Sequence, residues 1–85
     1  MPSVVIYTKS TCSYCHSAKD LLRKKKVAFD EITVDGDRAG QAAMAQRAGG
    51  RSTVPQVFIG AKHVGGCDDL HALDVSGKLD ALLAG

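Results

Sequence analysis

A short buried strand that leads directly into a helix limits the possible folds of this chain more than any other feature. Residues 3–8 are mostly β-branched and aromatic, which predicts the strand. From about residue 13 to residue 25, apolar side chains recur every three or four positions, which predicts the helix. Residues 27–34 predict a second strand. Because a strand–helix–strand crossover joins parallel strands, we expect these two strands to pair in parallel.

Capping residues mark the ends of two predicted helices. Thr11 is placed to cap the N-terminus of the first helix. Asp37 is placed to cap a second helix, which runs to about residue 48. Gly49 and Gly50 follow that helix, and glycine is common directly after a helix C-terminus. The sequence therefore predicts a helix between the second strand and the third.

The last third of the chain predicts two short strands and two helices. Residues 56–59 predict a third strand and residues 63–64 a fourth, and the tight turn at Gly60 implies that they are antiparallel. A helix opens at Cys67, and Leu79 lies in a last short helix. We expect an α/β fold in the order β-α-β-α-β-β-α, followed by that last helix, with a small four-stranded mixed sheet flanked by helices.

Length and charge exclude several classes of protein. A chain of 85 residues suffices for one domain, which we take as residues 1–85. A net charge of +2 is too small to predict a nucleic-acid partner, and we interpret the basic residues 23–26 as the last turn of a helix. No signal peptide or membrane segment opens the sequence, so we expect a cytoplasmic protein with no membrane partner.

Two cysteines, Cys12 and Cys15, lie at the predicted turn from strand to helix. Near the first helical position, Cys12 meets unpaired backbone N–H groups and the positive end of the helix dipole, and Lys9 adds a cation. These charges favour a thiolate, so Cys12 is the predicted nucleophile. Cys15 lies one turn further along, on the apolar stripe, where a shielded thiol can resolve a mixed disulfide. The pair therefore predicts catalytic thiol–disulfide exchange.

The same two cysteines also fit the attachment of a c-type haem, because His16 follows Cys15 directly. The α/β pattern and the missing secretion signal argue against haem. We interpret His16 as a polar residue on the solvent side of the first helix.

A zinc site is the other metal-binding alternative, and it needs four ligands. Beyond the pair, only Cys67, His63 and His71 remain as candidates. We interpret both histidines as surface residues, and we expect neither a metal nor a bound cofactor. Cys67 is interpreted as a small apolar residue that begins a helix, with oxidation or glutathionylation of its thiol as the alternative.

Three separated segments carry a family resemblance: YTKSTCSYCHSAKDLL at residues 7–22, TVPQVFIG at residues 53–60 and HVGGCDDLHAL at residues 63–73. Together they resemble the glutaredoxins, most closely the short bacterial type-three members. The resemblance implies a thioredoxin-like fold and a glutathione-dependent thiol–disulfide oxidoreductase. In that enzyme Cys12 is the nucleophile and Cys15 the resolving thiol, and the substrates are glutathionylated or disulfide-containing proteins.

The resemblance also implies a site for glutathione as co-substrate. The implied glutathione-binding residues are Lys9, Tyr14, Thr53, Val54, Pro55, Gly66, Cys67 and Asp68. In the family the peptide bond before Pro55 is cis, and the backbone of Val54 pairs with that of glutathione. Lys9 attracts the glycine carboxylate, Tyr14 flanks the sulfur and Asp68 holds the amine. The helix that opens at this point offers free N–H groups to the γ-glutamyl carboxylate.

The chain departs from the family pattern at two positions. Ser13 stands where many members have proline, and variants with serine there include members that bind a [2Fe–2S] cluster between two protomers. In such a dimer Cys12 and one glutathione of each protomer are the ligands, which gives the alternative function; otherwise we expect a monomer. Ala42 stands where relatives bind the glycine carboxylate, and Arg38 or Gln41 is the predicted substitute.

Overall fold

Four strands and four helices follow one another in the computed structural model, which describes residues 2–85. In chain order they are β1 (Val4–Thr8), α1 (Ser13–Lys24), β2 (Asp30–Thr33), α2 (Arg38–Arg47), β3 (Gln56–Ile59), β4 (Lys62–Gly65), α3 (Cys67–Val75) and α4 (Lys78–Ala84). Across these residues, no helix combines the length and the apolar character needed to cross a membrane.

The strands form one mixed sheet in the order β2-β1-β3-β4. Strand β1 pairs in parallel with β2, which confirms the pairing predicted from the crossover through α1. It pairs on its other side with β3, antiparallel, with Ile6 opposite Val57. Strands β3 and β4 are antiparallel across the turn at Gly60, as predicted. The predicted α/β architecture is therefore confirmed.

The central strands bury side chains on both faces of the sheet, because helices cover each face. On one face the core residues are Val4, Ile6, Ala18, Leu21, Leu22, Val57, Ile59, Cys67, Leu70, Leu79 and Leu83, from β1, β3, α1, α3 and α4. On the other face they are Tyr7, Val34, Met44, Ala48 and Phe58, where α2 supplies the cover. Successive residues of a strand point to opposite faces, which is why every position of β3 is buried.

The second strand is shorter than predicted. Residues 27–34 were expected to be extended, but β2 begins only at Asp30. The chain turns at Lys26, whose φ of 60° is left-handed, and the N–H of Val27 donates back to the Leu22 carbonyl at 3.4 Å. Val27 and Phe29 therefore pack against the core from this turn, not from a strand.

The two predicted N-caps have different outcomes. Asp37 caps α2, because its side chain accepts the N–H of Gly40 at 2.9 Å. Thr11 does not cap α1, so that prediction is wrong. The N-cap is Cys12, whose sulfur accepts a backbone N–H of the first turn. The helix begins at Ser13, as predicted, but a thiol and not a hydroxyl occupies its capping position.

Candidate active site

Cys12 is held at the start of α1 by the loop that follows β1. Its Sγ accepts the backbone N–H of Cys15 at 3.2 Å. Its own N–H donates to the Lys9 carbonyl at 3.2 Å. The loop is tied down nearby, since the N–H of Ser10 donates to the Asp35 carboxylate at 3.0 Å. A half-buried sulfur that accepts an N–H is well placed to carry negative charge.

Cys15 lies one turn deeper in α1 and is 0% exposed. Burial, followed by the hydrogen bond to the Cys12 side chain, raises the pKa of Cys15 to about 12. At neutral pH this group is therefore a thiol. The structure confirms the predicted contrast in burial between a reachable sulfur at Cys12 and a shielded one at Cys15. Both are free thiols, as is Cys67.

The loop before β3 brings a wall of backbone to the Cys12 sulfur. The Val54–Pro55 peptide bond is cis, as the family resemblance implied. The Cys12 thiol points at the Val54 carbonyl, with 3.8 Å between Sγ and the oxygen. No group within residues 2–85 accepts a hydrogen bond from the Val54 N–H. That N–H remains available to a ligand beside the sulfur.

The N-terminus of α3 forms the next wall, with Gly66 as its N-cap. The Gly66 N–H donates to Asp69 Oδ2 at 3.0 Å, and Arg51 Nη1 donates to the same oxygen at 3.0 Å. These bonds, the backbone one first, lower the pKa of Asp69 below its ordinary 3.8. Gly65 precedes the cap with a φ of +119°, and a Cβ there would overlap the Asp69 carboxylate. Glycine is therefore required at this turn.

A groove of about 160 Å³ lies between these walls. Its lining includes seven of the ten predicted site residues, namely Tyr14, Thr53, Val54, Pro55, Gly66, Cys67 and Asp68. Arg51 and Asp69 also line it, and sequence reasoning missed both as site residues. Asp69 had a local signal, because an acidic residue three positions after a helix N-cap often binds the cap N–H. Arg51 had none, since its partner lies 18 residues away.

The residues considered for binding the glycine carboxylate of glutathione lie outside the lining of this groove. Lys9 meets Cys12 through its backbone carbonyl, and no hydrogen bond of its ammonium is found within the described part of the chain. The Gln41 amide is occupied, because its Nε2 donates to the Ser52 carbonyl at 2.9 Å. Arg38 and Ala42 are exposed on α2. The predicted substitution by Arg38 or Gln41 stays a prediction.

The histidines differ from the surface interpretation. His63 is half-buried and hydrogen-bonded to the Gln56 side chain at 2.7 Å, so its prediction as a surface residue is wrong. His71 Nε2 lies 3.2 Å from Ser17 Oγ and 3.8 Å from Cys67 Sγ. His16 is exposed, as predicted. Within residues 2–85, no three His, Cys, Asp or Glu side chains are grouped so as to hold a metal ion.

The basic run at the end of α1 is partly neutralised by acidic side chains. Lys25 Nζ lies 2.6 Å from Asp74 Oδ1 and 3.1 Å from Asp80 Oδ1. These two contacts join the end of α1 to α3 and α4, and they raise the pKa of Lys25, chiefly through the hydrogen bond that its ammonium donates to Asp74. This agrees with the interpretation of the run as a helix terminus.

Sequence comparison identifies the family to which this arrangement belongs. A sequence model described as glutaredoxin matches residues 4–64. The chain is also 58% identical over 83 residues to Glutaredoxin 3 of Escherichia coli (strain K12), an alignment that covers 98% of this chain and 99% of that protein. The chain belongs to the glutaredoxin family. Glutaredoxins are thiol–disulfide oxidoreductases, and the chain is an enzyme of that class.

Solved glutaredoxin structures share the fold. The solution structure of glutaredoxin from Brucella melitensis is 52% identical, with a TM-score of 0.86 over 98% of this chain and 89% of that one. The crystal structure of a buckwheat glutaredoxin–glutathione complex is 37% identical, with a TM-score of 0.87 over 98% of this chain and 77% of that one. The predicted thioredoxin-like fold is confirmed.

Proposed function

We propose that this glutaredoxin uses glutathione to reduce protein–glutathione mixed disulfides and protein disulfides, with Cys12 as the nucleophile. The observation that carries the proposal is the position of Cys12 Sγ, which accepts the Cys15 N–H and faces the Val54 carbonyl beside the groove. We expect residues 1–85 to act as a single domain. A reducing compartment such as the cytoplasm, where free thiols persist, suits this chemistry.

The first half of the reaction is a thiol–disulfide exchange. The Cys12 thiolate attacks the glutathionyl sulfur of a mixed disulfide, and the bond from that sulfur to the substrate protein breaks. The substrate leaves as a thiolate and takes up a proton, while Cys12 becomes disulfide-bonded to glutathione. The thiolate of a second glutathione then attacks this glutathionyl sulfur. Glutathione disulfide leaves, and the Cys12 thiolate is restored.

Cys15 acts when the substrate is a disulfide within a protein, because both of its sulfurs must be reduced to thiols. While Cys12 is free, burial holds Cys15 in the thiol form, with its pKa raised to about 12. Once Cys12 is bonded to a substrate sulfur, Cys15 loses a proton and attacks Cys12 Sγ. The substrate sulfur that was bonded to Cys12 leaves and takes up a proton, and a Cys12–Cys15 disulfide forms for glutathione to reduce.

The walls of the groove offer groups that match those of glutathione. The Val54 N–H, which has no partner within residues 2–85, can pair with the peptide backbone of the ligand. The first-turn N–H groups of Cys67 and Asp68 point out of α3 and suit the γ-glutamyl carboxylate, while the Asp68 side chain suits the amine. Tyr14, 65% exposed, flanks the opening. The buckwheat relative was solved as a glutathione complex, which supports the same ligand here.

The first test is reduction of a glutathionylated peptide by glutathione, followed for the wild type, Cys12→Ser and Cys15→Ser. We expect Cys12→Ser to lose at least about 1,000-fold in kcat/KM, because the nucleophile is absent. Cys15→Ser should keep activity on this peptide and lose it on a protein with an internal disulfide. A wild type without activity on the peptide would refute the proposed dependence on glutathione.

The second candidate function is the [2Fe–2S] cluster shared by two protomers. One chain offers a single reachable thiol, Cys12, because Cys15 is fully buried and no group of three metal ligands exists within residues 2–85. A cluster would therefore need Cys12 of a second protomer and two glutathione thiols. Anaerobic purification with glutathione tests this candidate. Visible absorption in a dimeric fraction, lost in Cys12→Ser, would support it, and a colourless monomer would exclude it.

A further inference from the structure

Gln56 is a polar residue at a position where the fold calls for an apolar one. It opens β3, the central strand in which every residue is buried, and is itself 0% exposed. A buried amide is unfavourable unless each of its polar atoms has a partner. The Gln56 side chain has partners at both ends, one of them in the wall of the groove.

The contacts of Gln56 define the direction of each hydrogen bond. Its Nε2 lies 2.9 Å from the Thr53 carbonyl and 3.3 Å from Thr53 Oγ1. A carbonyl only accepts, so the NH₂ end of the amide must face Thr53. The amide oxygen Oε1 then faces His63 Nε2 at 2.7 Å. An amide oxygen also only accepts, so His63 must carry its proton on Nε2.

The ring of His63 is held for this role by its surroundings. It packs on Phe58, with 4.9 Å between the ring centroids. Burial, followed by the nearby positive charge of Arg51, lowers the pKa of His63 below its ordinary 6.5. At pH 7 the ring is therefore neutral, with Nε2–H as a donor.

The chain of donors ends in the groove. His63 donates to Gln56, and Gln56 donates to the Thr53 hydroxyl, so one lone pair of that hydroxyl is occupied. The hydroxyl proton is then free to point elsewhere, and no acceptor for it is found within the described residues. Donors aligned head to tail strengthen one another. Thr53 lines the groove, so its hydroxyl is able to donate to a negatively charged ligand there.

We propose that His63 and Gln56 are positioning residues that polarise the Thr53 hydroxyl as a donor to a carboxylate of bound glutathione. The proposal rests on the proposed function, because it assigns a recognition role to the same groove. It explains why the core tolerates a buried amide. A purely structural Gln56 would stabilise the loop before β3 without favouring a substrate that carries carboxylates.

Gln56→Met tests the chain, because methionine keeps the length of the side chain and removes all three of its hydrogen bonds. With a glutathionylated peptide we expect KM to rise up to about fivefold with kcat unchanged, because the Thr53 hydroxyl loses the hydrogen bond that directs its proton toward the ligand in ground and transition states alike. The same peptide joined by a disulfide to 2-mercaptoethanol, which has no carboxylate, should be reduced at an unchanged rate. Ile59→Val, a buried change in the same strand, controls for lost stability and should leave both KM values unchanged.

A double-mutant cycle shows whether the effect passes through Thr53. Thr53→Val alone should raise KM for the glutathionylated peptide about fivefold, and adding Gln56→Met should then change it less than about twofold. Independent effects that multiply would overturn the proposal. So would a Gln56→Met variant that folds and keeps the wild-type KM.

His63 provides the decisive comparison if Gln56→Met does not fold. His63→Leu removes the donor to Gln56, whereas His63→Gln keeps an N–H donor. A raised KM in His63→Leu that His63→Gln restores supports the chain, and equal KM values in the two variants overturn it. If the wild type itself fails to distinguish the two peptides, the proposed use of glutathione has failed. If the wild type distinguishes the two peptides but the variants keep the wild-type KM, only the donor chain is refuted.

Discussion

A cysteine lies at the N-terminus of both α1 and α3, but the two cysteines occupy different positions relative to the N-cap. Cys12 is the N-cap of α1, and its sulfur accepts an N–H of the helix it begins. Cys67 is the first residue inside α3, where Gly66 is the N-cap and the Asp69 carboxylate accepts the cap N–H. Cys12 is half-buried, with its sulfur 3.8 Å from the carbonyl oxygen of Val54, a residue that lines the groove, whereas Cys67 is only 8% exposed.

Because the cysteine is shifted by one residue relative to the N-cap, the N-termini of the two helices have different roles. At α1 the helix N-terminus stabilises charge on its own sulfur, which favours a nucleophile. At α3 the N-cap is Gly66, which has no side chain to accept the N–H groups of the first turn. These groups therefore remain free for an external anion. The Cys67 side chain packs in the core beside Leu70 and contributes apolar surface. One helix start supplies reactivity and the other supplies recognition.

The largest expected effect concerns the reactivity of the two thiols. Iodoacetamide should modify Cys12 at least about 100-fold faster than Cys67 at pH 7, because only the Cys12 sulfur is both reachable and in receipt of a helix N–H. Peptide mass spectrometry over a time course measures both rates in one sample. The buried Cys15 serves as the internal control for a shielded thiol and should remain unmodified. Equal alkylation rates at Cys12 and Cys67 would contradict the proposed difference between the two helix N-termini.

A smaller effect is expected when the cap of α3 is removed. Asp69→Ala should lower the free energy of unfolding by about 1 kcal/mol, and Asp37→Ala, which uncaps α2, should do the same. Only Asp69→Ala should also speed alkylation of Cys67, by about fivefold, because the first turn of α3 opens more often. Urea unfolding and the alkylation assay measure the two quantities. Faster alkylation of Cys67 in both variants would show general loosening, contrary to this expectation.

The sequence predicts a feature of these two helix N-termini only where the residues that determine it are close together in the chain. The position of Cys12 followed from a strand run and a helical stripe that are adjacent in sequence, and so did the burial of Cys15. For the cap itself the sequence predicts Thr11, because threonine is a common N-cap and cysteine is not. The sulfur takes that position here because it can reach the Cys15 N–H.

Contacts between distant residues had no such signal. Arg51 and Asp69 meet across 18 positions, and His63 reaches Gln56 from a neighbouring strand. Their side chains become partners only once β3, β4 and α3 are packed together. Sequence patterns predicted the elements, and the family resemblance implied seven residues of the groove lining, whereas the polar contacts that order the groove depend on tertiary packing.

The smallest expected effect is the pH dependence of the α3 cap. The Gly66 N–H and then Arg51 lower the pKa of Asp69 below the 3.8 that is ordinary for the unfolded chain. The folded state therefore favours the carboxylate, and the unfolded state binds the proton at a higher pH. This contribution to stability is fully present above pH 3.8 and is lost as the pH falls through the lower folded value.

Comparison of the wild type with Asp69→Asn measures that contribution. The difference between their free energies of unfolding should be constant from pH 7 to about pH 5 and should narrow as the pH falls below about 4. Ile59→Val has no titrating group, so its gap from the wild type should stay constant over the same range. If the difference in free energy of unfolding between the wild type and Asp69→Asn already disappears near pH 6, a group other than Asp69 is titrating. The cap of α3 would then lack the charged carboxylate that distinguishes it from the sulfur cap of α1.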